Sequence, residues 1–151
     1  MSRCSRGLLI RAGLLGVASG SRSMSALAAL SLTASTGWLA SPASRVGFAG
    51  AAGIELVIDK LPVTPSRLVT PGLVSRLVTG AASAALLARR ENSPAQLTLA
   101  AAAVGGGTAV GFAFAGVGWR RWAKRRWGVD LPGAVAEDVA SATVALVGAA
   151  L

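Results

Sequence analysis

Long apolar runs with few or no charged residues alternate with short polar segments along most of the chain. We interpret five of these runs as membrane-crossing helices, at residues 24–40, 42–58, 76–88, 95–119 and 132–151. The clearest is residues 95–119, because its roughly 25 uncharged residues exceed the roughly 20 that a helical crossing needs. The pattern predicts an all-α, polytopic helical membrane bundle of about five spans, forming a single domain over residues 1–151.

The N-terminal apolar run, residues 8–19, is shorter than a crossing helix. We expect it to form an interfacial or re-entrant helix. Gly16 and Gly20 are four residues apart, the spacing that allows close packing against another helix. In the alternative interpretation this run also crosses, giving six spans as an inverted repeat, since the sequence GVASG at 16–20 resembles GAASA at 80–84.

Composition supports a membrane environment. Hydrophobic residues make up 53% of the chain and charged residues only 14%, whereas soluble domains are roughly 25% charged. The apolar runs have no polar face, which a soluble helical core would need. The 19 glycines, together with many alanines, suit the close helix contacts found in lipid.

The titratable residues exclude several kinds of site. The chain has no histidine and one cysteine, Cys4, so zinc, haem and thiol-catalytic sites have no usable set of ligands. No nucleophile–base pair is evident, so we expect no catalytic residues, no metal and no cofactor. The net charge of +9 comes from basic residues that flank the apolar runs, which indicates membrane orientation rather than binding of nucleic acid.

The distribution of basic residues predicts the orientation. With five spans, twelve basic residues fall on one side of the membrane and three on the other. If residues 8–19 also cross, the division becomes nine against six. In both arrangements the richer side contains residues 119–130, and the positive-inside rule makes it cytoplasmic. We therefore expect a multi-pass protein of the cell (cytoplasmic) membrane.

A segment rich in tryptophan and arginine follows the clearest span. We interpret it as a loop that anchors the protein at the lipid interface, because aromatic and basic side chains together bind anionic headgroups. The anchor consists of Trp119, Arg120, Arg121, Trp122, Lys124, Arg125, Arg126 and Trp127.

A polar cluster is predicted near the cytoplasmic ends of the spans. Its members are Arg22, Glu55, Asp59, Lys60, Arg67, Arg76, Glu137 and Asp138. Glu55 and Asp59 lie on one helical face at a C-terminal end, where the helix dipole disfavours negative charge. We expect one of them to contact Arg67 or Arg76. The cluster is then either a fixed ion network or a site for a proton or cation.

Several of these residues resemble an uncharacterised bacterial family of integral-membrane proteins, domain of unknown function 4126. The matching residues are Gly20 to Ser23, Glu55, Asp59, Lys60, Pro62, Pro65, Arg67, Arg76, Gly80, Glu137 and Asp138. They extend over most of the chain. The resemblance implies a small multi-span membrane protein and carries no established activity, substrate or catalytic residue.

Two functions remain open at this point. The first is a small transporter or channel that moves a proton, an ion or a small solute past the polar cluster. The second is a non-transporting membrane scaffold or partner subunit in which the cluster is structural. The expected partners are the lipid bilayer, its anionic headgroups and further copies of the chain, and not nucleic acid.

Overall fold

The computed structural model describes residues 3–58, 70–127 and 131–151, and all regular secondary structure in this part of the chain is helical. The elements are α1 (Arg3–Ser21), α2 (Ser25–Thr33), a 3-10 turn (Trp38–Ala40), α3 (Pro42–Ile58), α4 (Thr70–Arg90), α5 (Ala95–Trp127) and α6 (Leu131–Ala150). The described residues include no strand, so the predicted all-α class is confirmed. Asp59, Lys60 and Arg67 of the predicted polar cluster lie outside the described residues.

Two of the described helices are long and apolar enough to cross a membrane. They are Pro71–Arg90 in α4 and Ala95–Ala123 in α5, with mean hydropathies of 1.3 and 1.6. Only 39% and 28% of an 18-residue window within each stretch is buried within the protein, so most of each window is at least partly exposed. By contrast, α2 has only 9 residues and α3 has 17, both fewer than the roughly 20 of a full crossing.

Helix α1 lies at the centre of the bundle and packs along α4, α5 and α6. It runs parallel to α5 and antiparallel to α6, and Leu8, Ala12, Leu15 and Ala18 are almost completely buried. This differs from the interfacial or re-entrant helix that we expected from the shortness of the apolar run. The reason is Arg11, whose charge interrupts that run without ending the helix.

The guanidinium of Arg11 is accommodated within the bundle. It pairs with Glu91 just after α4, and it donates to the carbonyl oxygens of Gly148 and Ala149 at 3.1 and 3.3 Å. These two carbonyls belong to the last turn of α6, where backbone acceptors have no partner within the helix. Arg11 thus links the middle of α1 to the C-terminal ends of α4 and α6, and α1 continues to Ser21.

Glycines bring α1, α4 and α5 into close contact at one level. A methyl group on Gly80 would lie 2.7 Å from both the Ala109 Cβ and the Gly105 carbonyl oxygen, and one on Gly20 would lie 2.7 Å from the Phe112 Cβ. Gly16 is equally crowded, by Gly105 and Thr108. The close packing predicted for Gly16 and Gly20 is therefore confirmed.

The predicted span at residues 24–40 is wrong, because the chain breaks into α2, an extended segment and the 3-10 turn. Gly37 adopts a φ of 76°, which a residue with a side chain rarely does. Arg90 and Arg45 donate to the carbonyl oxygens of Thr33 and Ala34 at 2.9 and 2.8 Å, satisfying acceptors where α2 ends. The short helix is deeply packed, since residues 26–31 are all buried.

Helix α5 extends eight residues further than the predicted span, to Trp127. The tryptophan- and arginine-rich segment is thus the last two turns of a helix up to Trp127, and its assignment as a loop is wrong. The three consecutive glycines 105–107 do not unwind α5. Gly107 and Gly111 face outward, with no atom of a neighbouring element within 4 Å of a methyl group placed there.

Candidate functional site

Four members of the predicted polar cluster converge on the turn between α1 and α2, residues 20–25. Arg22 belongs to the turn itself, while Glu55 comes from α3, Arg76 from α4 and Asp138 from α6. We call these four residues the turn cluster. The antiparallel return of α4 and α6 along α1 is what brings residues so distant in sequence to one level.

Glu55 binds the N-terminal end of α2. Its Oε1 accepts from the backbone N–H of Ser23 at 2.7 Å, and its Oε2 accepts from that of Met24 at 2.9 Å. A carboxylate is favoured there, since the first N–H groups of a helix lack intrahelical acceptors and the dipole is positive at that end. No arginine of the described residues lies within ion-pair distance of Glu55. Of the predicted pairings of Glu55 or Asp59 with Arg67 or Arg76, the Glu55–Arg76 contact is therefore wrong, while those of Asp59 and Arg67 lie outside the described residues.

Arg76 binds the opposite kind of helix end. Its Nη1 donates to the carbonyl oxygens of Gly20 and Ser21 at 2.7 and 2.8 Å, at the C-terminal end of α1. Only 4% of the residue is exposed. The cation lies at the negative end of the α1 dipole, so Arg76 and Glu55 hold the two sides of the same chain reversal.

Arg22 and Asp138 form the buried ion pair of the turn cluster. Nε of Arg22 lies 2.8 Å from Oδ1 of Asp138, and Nη2 contacts the same oxygen. The side chains are 5% and 16% exposed. A direct carboxylate–arginine contact thus exists, between two members of the predicted cluster other than Glu55, Asp59, Arg67 and Arg76.

Serine hydroxyls, which sequence reasoning missed, connect these groups. Ser25 Oγ donates to the Ala18 carbonyl at 3.0 Å, and Ser141 Oγ donates to the same oxygen at 3.2 Å. Ser141 Oγ also lies 3.3 Å from Ser25 Oγ. The available signal was spacing, since each serine is three residues after a charged member of the turn cluster. Ser25 follows Arg22 and Ser141 follows Asp138, and the second pair shares a face of α6.

Glu137, the neighbour of Asp138, takes part in a different contact. Its Oε2 accepts from Nε of Arg120 at 2.9 Å, and its side chain is 8% exposed. Trp119 stacks on Trp122 with 5.1 Å between ring centroids, and its Nε1 lies 3.5 Å from the Gly133 carbonyl oxygen. Glu137 therefore belongs with the predicted lipid anchor rather than with the turn cluster.

The remaining anchor residues follow along the end of α5. The side chains of Arg121, Arg125 and Arg126 are exposed. Those of Lys124 and Trp127 lie outside the described residues. The exposed arginines provide positive charge beyond the last apolar turns of α5, as an interface with anionic headgroups requires.

Two grooves flank α6. The larger, about 390 Å³, lies between α1, α5 and α6, and Glu137 lines it. The smaller, about 190 Å³, lies between α2, α3 and α6, and Arg22 and Asp138 line it. Ser141 borders both. Neighbouring carboxylates of one helix therefore face different grooves, each held by an arginine.

Every charged side chain of the turn cluster has a partner in the structure. Each of its four side chains binds a helix end or an opposite charge. In the part of the chain that the structure describes, no three His, Cys, Asp or Glu side chains are grouped so as to hold a metal ion. No family model, no curated protein and no solved structure matches the chain. The resemblance to the uncharacterised membrane family therefore stays a prediction.

Proposed function

We propose that the chain is a multi-pass integral membrane protein that acts as a non-transporting scaffold or partner subunit. The membrane environment is supported by the outward surface. Val46, Val78, Leu99, Phe114 and Val139 are between 52% and 73% exposed on the outer faces of α3 to α6. Monomeric soluble proteins rarely expose apolar surface this extensively.

The turn cluster is the observation that carries the scaffold role. Glu55 and Arg76 satisfy backbone groups of α2 and α1, and Arg22 is paired with Asp138. A transport site needs polar groups that exchange their partners for a solute or a proton. These groups instead stabilise a break between two helices, where unsatisfied backbone in lipid would cost several kcal/mol per group.

The directions of the helices favour the six-segment topology over five spans. Because α1 runs parallel to α5, Cys4 and Arg121 lie at opposite ends of the bundle. The basic residues then divide nine against six, which makes the end with Arg121 cytoplasmic and both termini extracytoplasmic. In this topology α2 is a buried segment, about half as long as a crossing helix, packed between its neighbouring helices.

Transport by the polar cluster is the second candidate, favoured by the grooves beside α6. Half-length helices and ionisable groups beside cavities are features of secondary transporters. In this function Asp138 would exchange Arg22 for a proton or a cation entering from the smaller groove. The groove is too narrow to hold a large solute, since its volume is about 190 Å³.

Reconstitution separates the two functions. The purified protein and its Asp138→Asn variant are placed in liposomes with a proton or potassium gradient, and dissipation is compared with that of empty liposomes. A scaffold leaves the gradient unchanged in both preparations. Dissipation by the wild type that disappears in a folded Asp138→Asn variant would overturn the scaffold role and establish transport. Extraction with alkaline carbonate tests membrane integration separately.

A further inference from the structure

The smaller groove follows α2 and α6 and has its polar lining at one end. Four polar side chains form this end, namely Arg22, Ser25, Asp138 and Ser141. Every other lining residue is an alanine or a leucine, and the walls end at Leu32 of α2 and Leu146 of α6. Because the Arg22–Asp138 pair and the two serines lie at one level, the α2 and α6 walls run in parallel from there. The groove is therefore amphipathic along its length.

The groove has room for a short molecule. Along α6 it extends from Asp138 to Leu146, which is about 12 Å at 1.5 Å per residue. Its volume is about 190 Å³, whereas a cavity of about 150 Å³ holds benzene. By this comparison the groove accommodates roughly seven or eight non-hydrogen atoms. An unbranched chain of about six carbon atoms with one polar end group fits this volume and this length.

The polar end of the groove presents hydrogen-bond acceptors. Asp138 binds Arg22 through Oδ1, while its Oδ2 is not buried and accepts no hydrogen bond from the residues that the structure describes. The hydroxyl of Ser25 directs its hydrogen to the carbonyl oxygens of Ala18 and Arg22, at 3.0 and 2.9 Å. That of Ser141 donates to the Ala18 oxygen at 3.2 Å. Since each hydroxyl has only one hydrogen, the lone pairs of these oxygens are what remains for a ligand.

The charges around the groove select a neutral hydrogen-bond donor. The turn cluster contains two arginines and two carboxylates, so its charges cancel. An ammonium ion bound to Asp138 would lie beside the Arg22 guanidinium without a counter-charge of its own, and a carboxylate would face the Asp138 oxygen. Either ligand would leave a desolvated charge uncompensated, which is costly. A hydroxyl group donates one hydrogen bond and adds no charge.

We propose that the smaller groove binds a short unbranched primary alcohol. Its hydroxyl donates to Oδ2 of Asp138, and its alkyl chain lies between α2 and α6 toward Leu32 and Leu146. Arg22 keeps its contact with Oδ1, so the ion pair stays closed when the ligand binds. The site goes beyond the scaffold role and does not depend on it, because it is built from contacts within the bundle.

Photoaffinity labelling of the full-length protein in phosphatidylcholine nanodiscs tests this site. The probe is 1-pentanol carrying a diazirine, which reacts with adjacent residues on illumination, and the modified residues are mapped by proteolysis and mass spectrometry. We expect labels within residues 28–32 of α2 and 142–146 of α6. At equal concentrations in the bilayer, 1-hexanol should compete about tenfold more strongly than hexane, because one hydrogen bond to a charged acceptor gives a difference of this size.

Two phenylalanine substitutions on α6 test the location. Ala142 and Ala140 are both exposed, but Ala142 lines the smaller groove and Ala140 the larger. Ala142→Phe should abolish labelling of the groove, whereas Ala140→Phe should leave it unchanged. Labels on exposed residues of the outer faces, such as Val78 and Leu99, should be suppressed equally by 1-hexanol and hexane, which controls for partitioning into the bilayer.

Charged analogues test the choice of a neutral ligand. Hexylammonium and hexanoate should both compete more weakly than 1-hexanol. Stronger competition by hexylammonium would overturn the proposal and support exchange of cations at Asp138. Stronger competition by hexanoate would also overturn it, because an anion would then have replaced Asp138 at Arg22. Equal competition by hexane and 1-hexanol would show an apolar groove that does not select a hydroxyl, and would refute the proposal as well.

The variants give further results that would refute the site. These are labelling that persists in Ala142→Phe, labelling lost equally in both variants, and absence of labels on α2 and α6 in the wild type. Dissociation of an oligomer by Ala142→Phe would show that a second copy covers the groove, and would overturn the assignment of an alcohol. A protein that alkaline carbonate releases from membranes is labelled in buffer instead, so that the membrane function and the groove are tested separately.

Discussion

Removing the charge of Asp138 should destabilise the protein strongly, because Arg22 would remain buried without its carboxylate. Breaking a buried ion pair by removing one partner typically costs about 3–5 kcal/mol. Asp138 is 16% exposed and Arg22 only 5%, so the lower end of that range applies to Asp138→Asn. At about 2–4 °C per kcal/mol for a chain of this size, the Tm should fall by about 6–12 °C.

A double-mutant cycle measures the pair itself. Asp138→Asn, Arg22→Gln and the double variant are unfolded thermally in detergent and followed by circular dichroism at 222 nm. Arg22→Gln should cost more than Asp138→Asn, since Arg22 has further interactions. The double variant should lose about 2 kcal/mol less than the sum of the single variants, because neither charge is then left unpaired.

Glu91→Gln is the matched control for this cycle. It breaks the ion pair with Arg11, whose side chains are more exposed at 28% and 16%, and Arg11 retains the carbonyl oxygens of α6. A loss of about 1 kcal/mol or less is therefore expected. If the effects of Asp138→Asn and Arg22→Gln add to within about 0.5 kcal/mol, the buried pair contributes nothing and the reasoning is refuted.

Three further predictions test other parts of the structure. Gly80→Ala should lower the free energy of unfolding by about 1–3 kcal/mol through overpacking, whereas Gly107→Ala should not; equal effects would contradict the glycine contacts. Glu55→Gln should cost about 1–2 kcal/mol, because the amide nitrogen that replaces one carboxylate oxygen cannot accept from the N–H of Ser23 or Met24; unchanged thermal unfolding would contradict the cap. Cys4 and a cysteine placed at Arg125 in a Cys4→Ser background should react with an impermeant maleimide from opposite sides of the membrane, and labelling from the same side would support the five-span arrangement.

The sequence predicted the parts of the fold that depend on hydrophobic length. The boundaries of α3 were predicted as observed, and those of α6 to within a residue, because proline and polar residues bracket a single apolar run. Residues 24–40 formed an equally apolar run, yet only α2 and a 3-10 turn form there. A hydropathy profile gives no sign of the positive φ of Gly37. It also gives no sign that Arg90 and Arg45 bind carbonyl oxygens where α2 ends.

For the turn cluster, the sequence predicted that the charged residues share one level of the bundle, but it did not predict which groups they bind. The charge pattern placed Arg22, Glu55, Arg76 and Asp138 at one level, and the structure brings these four together. The charges alone suggested that the carboxylates would form ion pairs with arginines. Helix ends are equally good partners for charged side chains. The α1–α2 turn combines the C-terminal end of α1, which binds cations, with the N-terminal end of α2, which binds anions. Because that turn was predicted to lie outside the spans, its backbone was not considered as a partner.

The short helix α2 has a consequence for the order in which the protein folds. Nine residues are too few to form a stable helix alone, since isolated helices shorter than about 12–15 residues are marginal. The groups that hold its two ends are Glu55, Arg45 and Arg90, all from later in the chain. During synthesis α2 therefore becomes stable only after α3 and α4 have been made, although α2 itself is made before them. Amide hydrogen exchange on chains released at increasing lengths would detect protection of residues 25–33 only after Arg90 has emerged.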